Sequence, residues 1–571
     1  MITRRDFVRG GLSAAAIGML ARRGSAYAPP SCPVSGALPL RGTAPLIALD
    51  RTLPSRIVDG LPFADWFTGD NFTDQTTYPF HVSPPCCEGA APPPPAEHVK
   101  VAVVGGGLSG LAAAYLLRRH RPVIFDLHER FGGNAVGEVW RETPYSLGSA
   151  YVIVPDEGTF LDEFYRSLGL HRVFRYAGPQ DPVELYGRIE TDFWSGAGRP
   201  PQEAAAFQRY AEVVAYMAEE RYPDIPLPEG KDNQWIIDLD RKTFREDLEE
   251  RMGVPLPPLL AAAVQGYFYS SFNSGMQDIS AAAGWNFVAA EEFGRWVFPG
   301  GNAYLAQALW SELARLDDGV PAHCRPHHLR GKCLVVDVRT HPRGAQVTYA
   351  DAAGAVRSLT ARCVVMACPK HVVKFMMPEL ESLDPGKLQS IFSVETLAYV
   401  VANVLLDAPI ERDFYDLFLL HDEQFPMDEP SFEQRSQVVD VLHGAYARRP
   451  RVPRSVLTLY WPLPFHRSRI SLLLGDDPWL DYAQRLAPQV RRMLQWFDVP
   501  ESKVRQIRMT RWGHAFPIAR PGFIADGHAE AVRRPIQDRI FFANQDNWAL
   551  PAVENSLLDA HWVAQAVDHV L

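Results

Sequence analysis

Residues 101–134 read VAVVGGGLSGLAAAYLLRRHRPVIFDLHERFGGN, and this stretch decides the fold. Four apolar residues, Val101 to Val104, suit a buried parallel strand. They run directly into Gly105-Gly106-Gly107-Leu108-Ser109-Gly110 and then into an apolar helical pattern through Leu117. In a GxGxxG set between strand and helix, Gly105 permits the tight turn and Gly107 lets the backbone approach a pyrophosphate. Gly110 lets helix and strand pack closely. Leu108 and Ser109 stand at the helix start, where free N–H groups and the positive end of the helix dipole meet phosphate oxygens. A second strand, Val123-Ile124-Phe125, ends on Asp126, 21 residues after Gly105, followed by Leu127. A carboxylate at that position can hold ribose hydroxyls. A GxGxxG by itself is a weak signal; strand, glycines, helix, strand and acid in this order make a strong dinucleotide site.

The rest of the chain bounds what this site can serve. At 571 residues it has the length for a large core and two intertwined domains. Apolar residues at 47% and charged residues at 22% are ordinary for a soluble globular protein. No basic stripe with interleaved aromatics invites nucleic acid. The amino terminus reads Thr3-Arg4-Arg5-Asp6-Phe7-Val8-Arg9 followed by the mild apolar run GGLSAAAIGMLA. This resembles a twin-arginine export signal, and the apolar run is too short to span a bilayer. It predicts a leader over residues 1–28, handling by the twin-arginine export machinery, a periplasmic location and a cofactor loaded before export. The formal charge of −10 falls to −14 once the leader's net +4 is removed. Seven cysteines include no CxxC and no CxxCH, so zinc ribbons and covalent haem are unsupported and no metal site is expected. Cys86-Cys87 reads as a loop with idle thiols, a disulfide to Cys32 being the alternative.

Residues 29–98 are rich in Pro and Gly and end in Pro92-Pro93-Pro94-Pro95, a stiff spacer. They read as an extension draped on the main domain. Helical patterns dominate 156–290, and 321–370 carries the strand-like runs GKCLVVDVRT, AQVTYAD and ARCVVMACP. A nucleotide fold begun near residue 99 is therefore expected to span 99–155, 290–370 and 536–571. A substrate domain would be inserted as 156–289 and 371–535. The predicted class is α/β: a Rossmann-like FAD-binding domain (GR2-type) with an inserted α+β substrate domain.

Two further motifs move the cofactor from dinucleotide in general to FAD. Gly132-Gly133-Asn134 follows the ribose acid by six residues, so that its loop runs back under the same pyrophosphate. Near the other end, Phe541-Phe542-Ala543-Asn544-Gln545-Asp546 resembles the strand and turn that touch a flavin's ribityl chain, with Asn544 and Asp546 as candidates. The helix beginning near Pro551-Ala552-Val553 would aim its amino terminus at the flavin N1/O2 edge, where a dipole stabilises an anionic reduced flavin. Together these segments resemble the flavin-containing amine oxidase superfamily over most of the chain from residue 99. FDLHERFGGNA (125–135), FPGGNAYLAQAL (298–309), CVVMACPKHVVKFMMPEL (363–380), AYVVANVLL (398–406) and RIFFANQDNWA (539–549) look closest to the bacterial spermidine dehydrogenase group. The resemblance implies a two-domain fold, noncovalent FAD, and oxidation of an amine or similar C–H donor. It also places Gly148, Ser149, Ala150 and Tyr151 near the flavin ring and Val335 beside the adenine.

The chain departs from its relatives in ways that bear on chemistry. The strand that carries a flavin-side lysine in amine oxidases reads Thr396-Leu397-Ala398-Tyr399-Val400-Val401, without lysine. That favours a dehydrogenase handing electrons to a quinone or cytochrome over one using oxygen. Ala543-Asn544-Gln545-Asp546-Asn547 holds no cysteine for a covalent flavin link, and no ligand pattern for the haem b of spermidine dehydrogenases is visible. Trp512 and His514 are candidates for the substrate face, His514 being the one catalytic candidate. Tyr267, Phe268, Tyr269 and Phe272 read as helix core, an amine cage being the alternative, and Glu291-Glu292 and Asp278 as solvated charge, recognition of a polycation being the alternative. The expected activity is hydride transfer from an amine-type small molecule, polyamines included, to flavin N5. A desaturase or isomerase of an apolar polyene or ring compound is the alternative, and a non-catalytic flavin-fold binding protein is the reading from another class.

Overall fold

A computed structural model of the chain describes residues 41–49, 54–70, 92–318, 327–422, 424–448, 453–473 and 477–571. The predicted leader and Cys32, Cys86, Cys87 and Cys324 lie outside the described residues. Cys333, Cys363 and Cys368 are buried free thiols.

The strand Glu97–Val104 pairs in parallel with Val123–Phe125 on one side and with Val356–Met366 on the other. Ile540–Phe542 adds in parallel to Val356–Met366, and Leu329–Arg330 adds in parallel to Val123–Phe125. The antiparallel run Leu334–His341, Gly344–Ala350 and Val356–Met366 completes a seven-stranded sheet. Alternation across the first strand explains its apolar run. Val101 and Val103 enter the core under the helices Leu108–Leu116 and Val553–Val570, while Ala102 and Val104 enter the core on the opposite face.

A ten-stranded sheet forms the second body of the fold. Its central strand, Thr396–Leu406, is buried at every residue and lies between Ser455–Pro462 and Val504–Pro517. Val400, Ala402 and Val404 face a core covered by the amphipathic helix Pro478–Trp496, whereas Tyr399 and Val401 face the nucleotide-binding half. A helical layer packs beside this sheet, including Pro201–Glu219, Phe244–Met252, Pro258–Phe272 and Ala281–Ala290. Thr243 starts the second of these with a capping box to Glu246.

The Pro-rich extension does more than drape. Leu46–Leu49 pairs in parallel with Gly137–Trp140, and the hairpin Ser55–Val58 and Leu61–Ala64 joins the ten-stranded sheet beside Val504–Pro517. The short apolar runs suffice because Leu61, Phe63 and Ala64 are almost wholly buried there. Among the described residues no helix is long and apolar enough to cross a membrane.

Candidate functional site

Both sheets contribute walls to one cavity of about 1020 Å³. Gly105, Gly107, Leu108, Ser109, Asp126, Leu127, Gly132, Gly133 and Asn134 line its nucleotide end. Gly105 has φ +112°, and a Cβ there would lie 2.6 Å from the Ala367 carbonyl oxygen. The two glycine loops touch: Gly132 N–H donates to Gly106 O at 2.8 Å, and a Cβ on Gly133 would approach Gly107 Cα to 3.0 Å. Gly110 is the one predicted cofactor residue off the cavity wall. A Cβ on it would sit 1.9 Å from Gly105 O, so its role is the close packing of helix on strand.

Asp126 Oδ2 accepts from Gly106 N–H at 2.8 Å and Oδ1 accepts from His128 N–H at 2.7 Å. Burial raises its carboxyl above the usual range, while His128 and these two N–H groups act in the opposite sense. Lone pairs remain for ribose hydroxyls. Two helices, Leu108–Leu116 and Val553–Val570, begin on the cavity without a side-chain cap, leaving N–H groups and positive dipole ends for a bound anion. Val553 and Val335 also line the wall, and the buried Asn555 Nδ2 has no acceptor in the protein. This donor-rich, glycine-lined cradle fits a dinucleotide.

The central part of the wall is fastened by side chains remote in sequence. Asn302 Nδ2 donates to Ser149 Oγ at 2.8 Å and to Tyr151 O at 2.6 Å. Trp512 Nε1 donates to Leu147 O at 2.8 Å, and Ser149 N–H donates to Asn134 O at 3.0 Å. Gly148, Ser149, Ala150 and Tyr151 are thereby held along the cavity. Asn544 accepts from Asp546 N–H at 3.0 Å, and Asp546 Oδ2 accepts from Lys370 N–H at 2.7 Å. Both residues line the wall.

Beyond the glycine loops the cavity changes character. Tyr399 and Tyr460 meet edge to face with ring centroids 5.8 Å apart, and Tyr460 donates to the Gly148 carbonyl. Trp512 and His514, the candidates for a substrate face, lie on this wall. His514 stacks on His371 at 3.8 Å, and its Nδ1 lies 2.9 Å from Thr396 Oγ1. Lys374, on the helix Lys370–Met376, is the lysine on the wall among the described residues; the strand Thr396–Leu406 presents Tyr399 there.

Sequence reasoning missed the carboxylates Asp416 and Asp440 and read Glu291 as solvated charge. Glu291, Asp416 and Asp440 line the cavity and are at least nine-tenths buried. Arg295 stands among them, 3.3 Å from Glu291 Oε2, 3.7 Å from Asp416 Oδ2 and 2.7 Å from Asp181 Oδ1. Tyr151 and Tyr267 donate to Glu291 Oε1 at 2.6 and 3.4 Å, and Ser270 donates to Asp440 Oδ2 at 2.7 Å. The Glu291-Glu292 pair thus splits: Glu292 is exposed, while Glu291 faces the cavity. The aromatic cluster splits likewise, with Phe268 and Phe272 in the core and Tyr267 on the wall. A signal existed in FYDLFLL and VVDVLH, where an acid interrupts an apolar strand pattern.

The model of the family described as flavin containing amine oxidoreductase matches residues 108–567. The chain belongs to this family. A similar curated protein is the oxidoreductase PigB of Serratia sp. (strain ATCC 39006), 21% identical over 542 residues, covering 86% of this chain and 78% of that one. Among solved structures, putrescine oxidase bound to putrescine superposes with TM-score 0.57 at 15% identity, covering 83% of this chain and 99% of its own. Cyclohexylamine oxidase from Brevibacterium oxydans IH-35A gives TM-score 0.57 at 16% identity, with coverage of 82% and 99%. A CLA-producing fatty acid isomerase from P. acnes gives TM-score 0.56 at 15% identity, with coverage of 82% and 98%. These likenesses establish the α/β fold, a Rossmann-like flavin domain with a substrate domain. Family membership makes the chain a flavin oxidoreductase.

Proposed function

We propose that this family member is an exported dehydrogenase holding noncovalent FAD and oxidising an amine, polyamines included, at the carbon beside nitrogen. The observation that carries this reading is the excess of carboxylates over cations in the cavity. Glu291 and Asp416 pair with Arg295, which is also held by Asp181, and Asp440 stands beside Asp416. Buried carboxyl groups with too few counter-charges either hold protons or take up a cation, so a cationic occupant suits this end.

FAD, when bound, supplies the hydride acceptor. The glycine loops, Asp126 and the two uncapped helices would hold its nucleotide and phosphates. Asn544 and Asp546 would meet the ribityl chain, and Gly148 to Tyr151 would lie along the ring. Tyr399, Tyr460 and Trp512 would then exclude water and confine the donor carbon. A strand Thr396–Leu406 without lysine supports electron delivery to a quinone or cytochrome, and the twin-arginine pattern supports a periplasmic setting.

Anaerobic addition of mono-, di- and polyamines to the purified holoprotein tests the reading. Bleaching of the oxidised flavin band by amines, with slow recovery in air and fast recovery with a quinone, is the expected result. Bleaching or isomerisation with polyenes alone would replace the amine by an apolar donor.

A further inference from the structure

The carboxyl groups of Asp416 and Asp440 form a pair with a place in the sheet that no cofactor motif explains. The register sets Asp440 opposite Phe418, which makes Asp416, two residues before Phe418, its diagonal neighbour on the same face. Asp440 also pairs in register with Tyr460, whose hydroxyl reaches the Gly148 carbonyl. The pair therefore stands about one tyrosine's length from the wall at Gly148. Both residues line the cavity, at 3% and 2% exposure. Ser270 donates to Asp440 Oδ2 and the two carboxyl groups share a hydrogen bond when one is protonated, but no other protein group donates to Asp416 Oδ1 or Asp440 Oδ1. Two buried acceptors without a donor are satisfied either by a proton held between them or by N–H groups of a visiting cation.

We propose that Asp440, paired with Asp416, docks the substrate ammonium and takes its proton, leaving the neutral amine that hydride loss requires. This rests on the amine reading of the same site. In the step, one N–H bond of the ammonium breaks and an O–H bond forms on Asp440 Oδ1. The electron pair stays on nitrogen, ready to stabilise the iminium as hydride leaves the neighbouring carbon. Burial favours this direction, because a desolvated ion pair of carboxylate and ammonium is replaced by two neutral groups.

The surroundings agree. Burial, followed by the neighbouring Asp440, raises Asp416 well above the usual carboxyl range, and burial raises Asp440 also. The charged groups facing the pair are Arg295, which opposes the rise, and Glu291 and Asp181, which reinforce it. The hydroxyls of Tyr399, Tyr415 and Tyr460 face it as neutral groups, since burial holds them above their ordinary range. Tyr151 and Tyr267, bound to Glu291, are held neutral in the same way.

Stopped-flow anaerobic bleaching of the holoprotein by one reactive amine, followed across pH, tests the proposal. Wild type should bleach at a rate that is level near neutrality and falls as the pair becomes fully protonated in acid. Asp440→Asn, checked for flavin absorbance and near-UV circular dichroism, should be at least about 100-fold slower at neutral pH. Its rate should climb along the substrate's own ammonium ionisation, and Asp440→Glu should restore part of the neutral-pH rate. A wild-type rate and pH profile in Asp440→Asn would overturn the proposal. If that variant does not hold flavin, Ser270→Ala and Asp416→Asn answer the same question: each should move the acidic limb, and no movement in either overturns the proposal. Failure of every amine to bleach wild type instead defeats the amine reading itself, which separates the two.

Discussion

Arg508 grips Glu138 with two parallel hydrogen bonds, Nη2 to Oε1 at 2.9 Å and Nε to Oε2 at 3.0 Å, with both side chains at most 4% exposed. The pair joins strand Val504–Pro517 of the ten-stranded sheet to strand Gly137–Trp140, which follows the second glycine loop. Tyr145 donates to the same carboxylate. A bond of this kind fixes how the substrate half sits against the nucleotide half, because neither charge can turn to water.

Removing one partner should therefore be severe. Arg508→Met leaves Glu138 buried without its counter-charge and is expected to cost about 3–5 kcal/mol. Replacing both residues by methionine should cost less than the single change, since the buried carboxylate goes together with its guanidinium partner. Urea unfolding of the two variants beside wild type measures the difference.

Gly105→Ala and Gly107→Ala should separate folding from cofactor retention. At Gly105 the new Cβ meets backbone at 2.6 Å with φ at +112°, so soluble yield and melting temperature should fall. At Gly107 φ is −74° and the nearest atom to a Cβ is 3.8 Å away, so the fold should survive. The methyl enters the phosphate cradle, and flavin affinity should drop at least about tenfold, or ~1.4 kcal/mol. The flavin-to-protein absorbance ratio after dilution reads this out.

Glu291→Gln keeps acceptors for the Tyr151 and Tyr267 hydroxyls but removes one negative charge from the cavity. On the amine reading, KM for a cationic substrate should rise by roughly tenfold or more, the scale of a lost charge-assisted hydrogen bond. Flavin content should not change. Steady-state kinetics with an artificial acceptor checks both.

His561 stacks on Phe160 at 3.9 Å, and burial lowers its pKa to about 4. An imidazole in the unfolded chain titrates near 6.5. Between those values the unfolded state binds the extra proton, so stability falls as pH drops from about 6.5 towards 4. His561→Phe should remove that slope, up to about 1.4 kcal/mol per pH unit. Melting curves of wild type and variant at about pH 7 and about pH 5 show whether it does.

The nucleotide half was legible because its chemistry is local. Gly105, Gly107 and Gly110 shape the backbone and Asp126 accepts from it through its carboxylate, all within one strand–helix–strand unit, so their spacing alone brings them together. Asn302 was quoted in FPGGN without a role, since its bonds to Ser149 and Tyr151 cross about 150 residues of chain. The substrate end was not legible for a related reason. Glu291, Asp416 and Asp440 come from three separate elements, and an acid in an apolar strand looks like an irregularity until its neighbours are known. Phe268 and Tyr267 show the same effect at adjacent positions, one in the core and one on the cavity wall.

Gly105 and Val553, far apart in sequence, stand on the same cavity wall. A cofactor seated there would need both the first glycine loop and the helix Val553–Val570 in place. Once seated, it would act as a clasp between two stretches far apart in sequence, and disrupting the helix Val553–Val570 would open the berth even with every glycine in place.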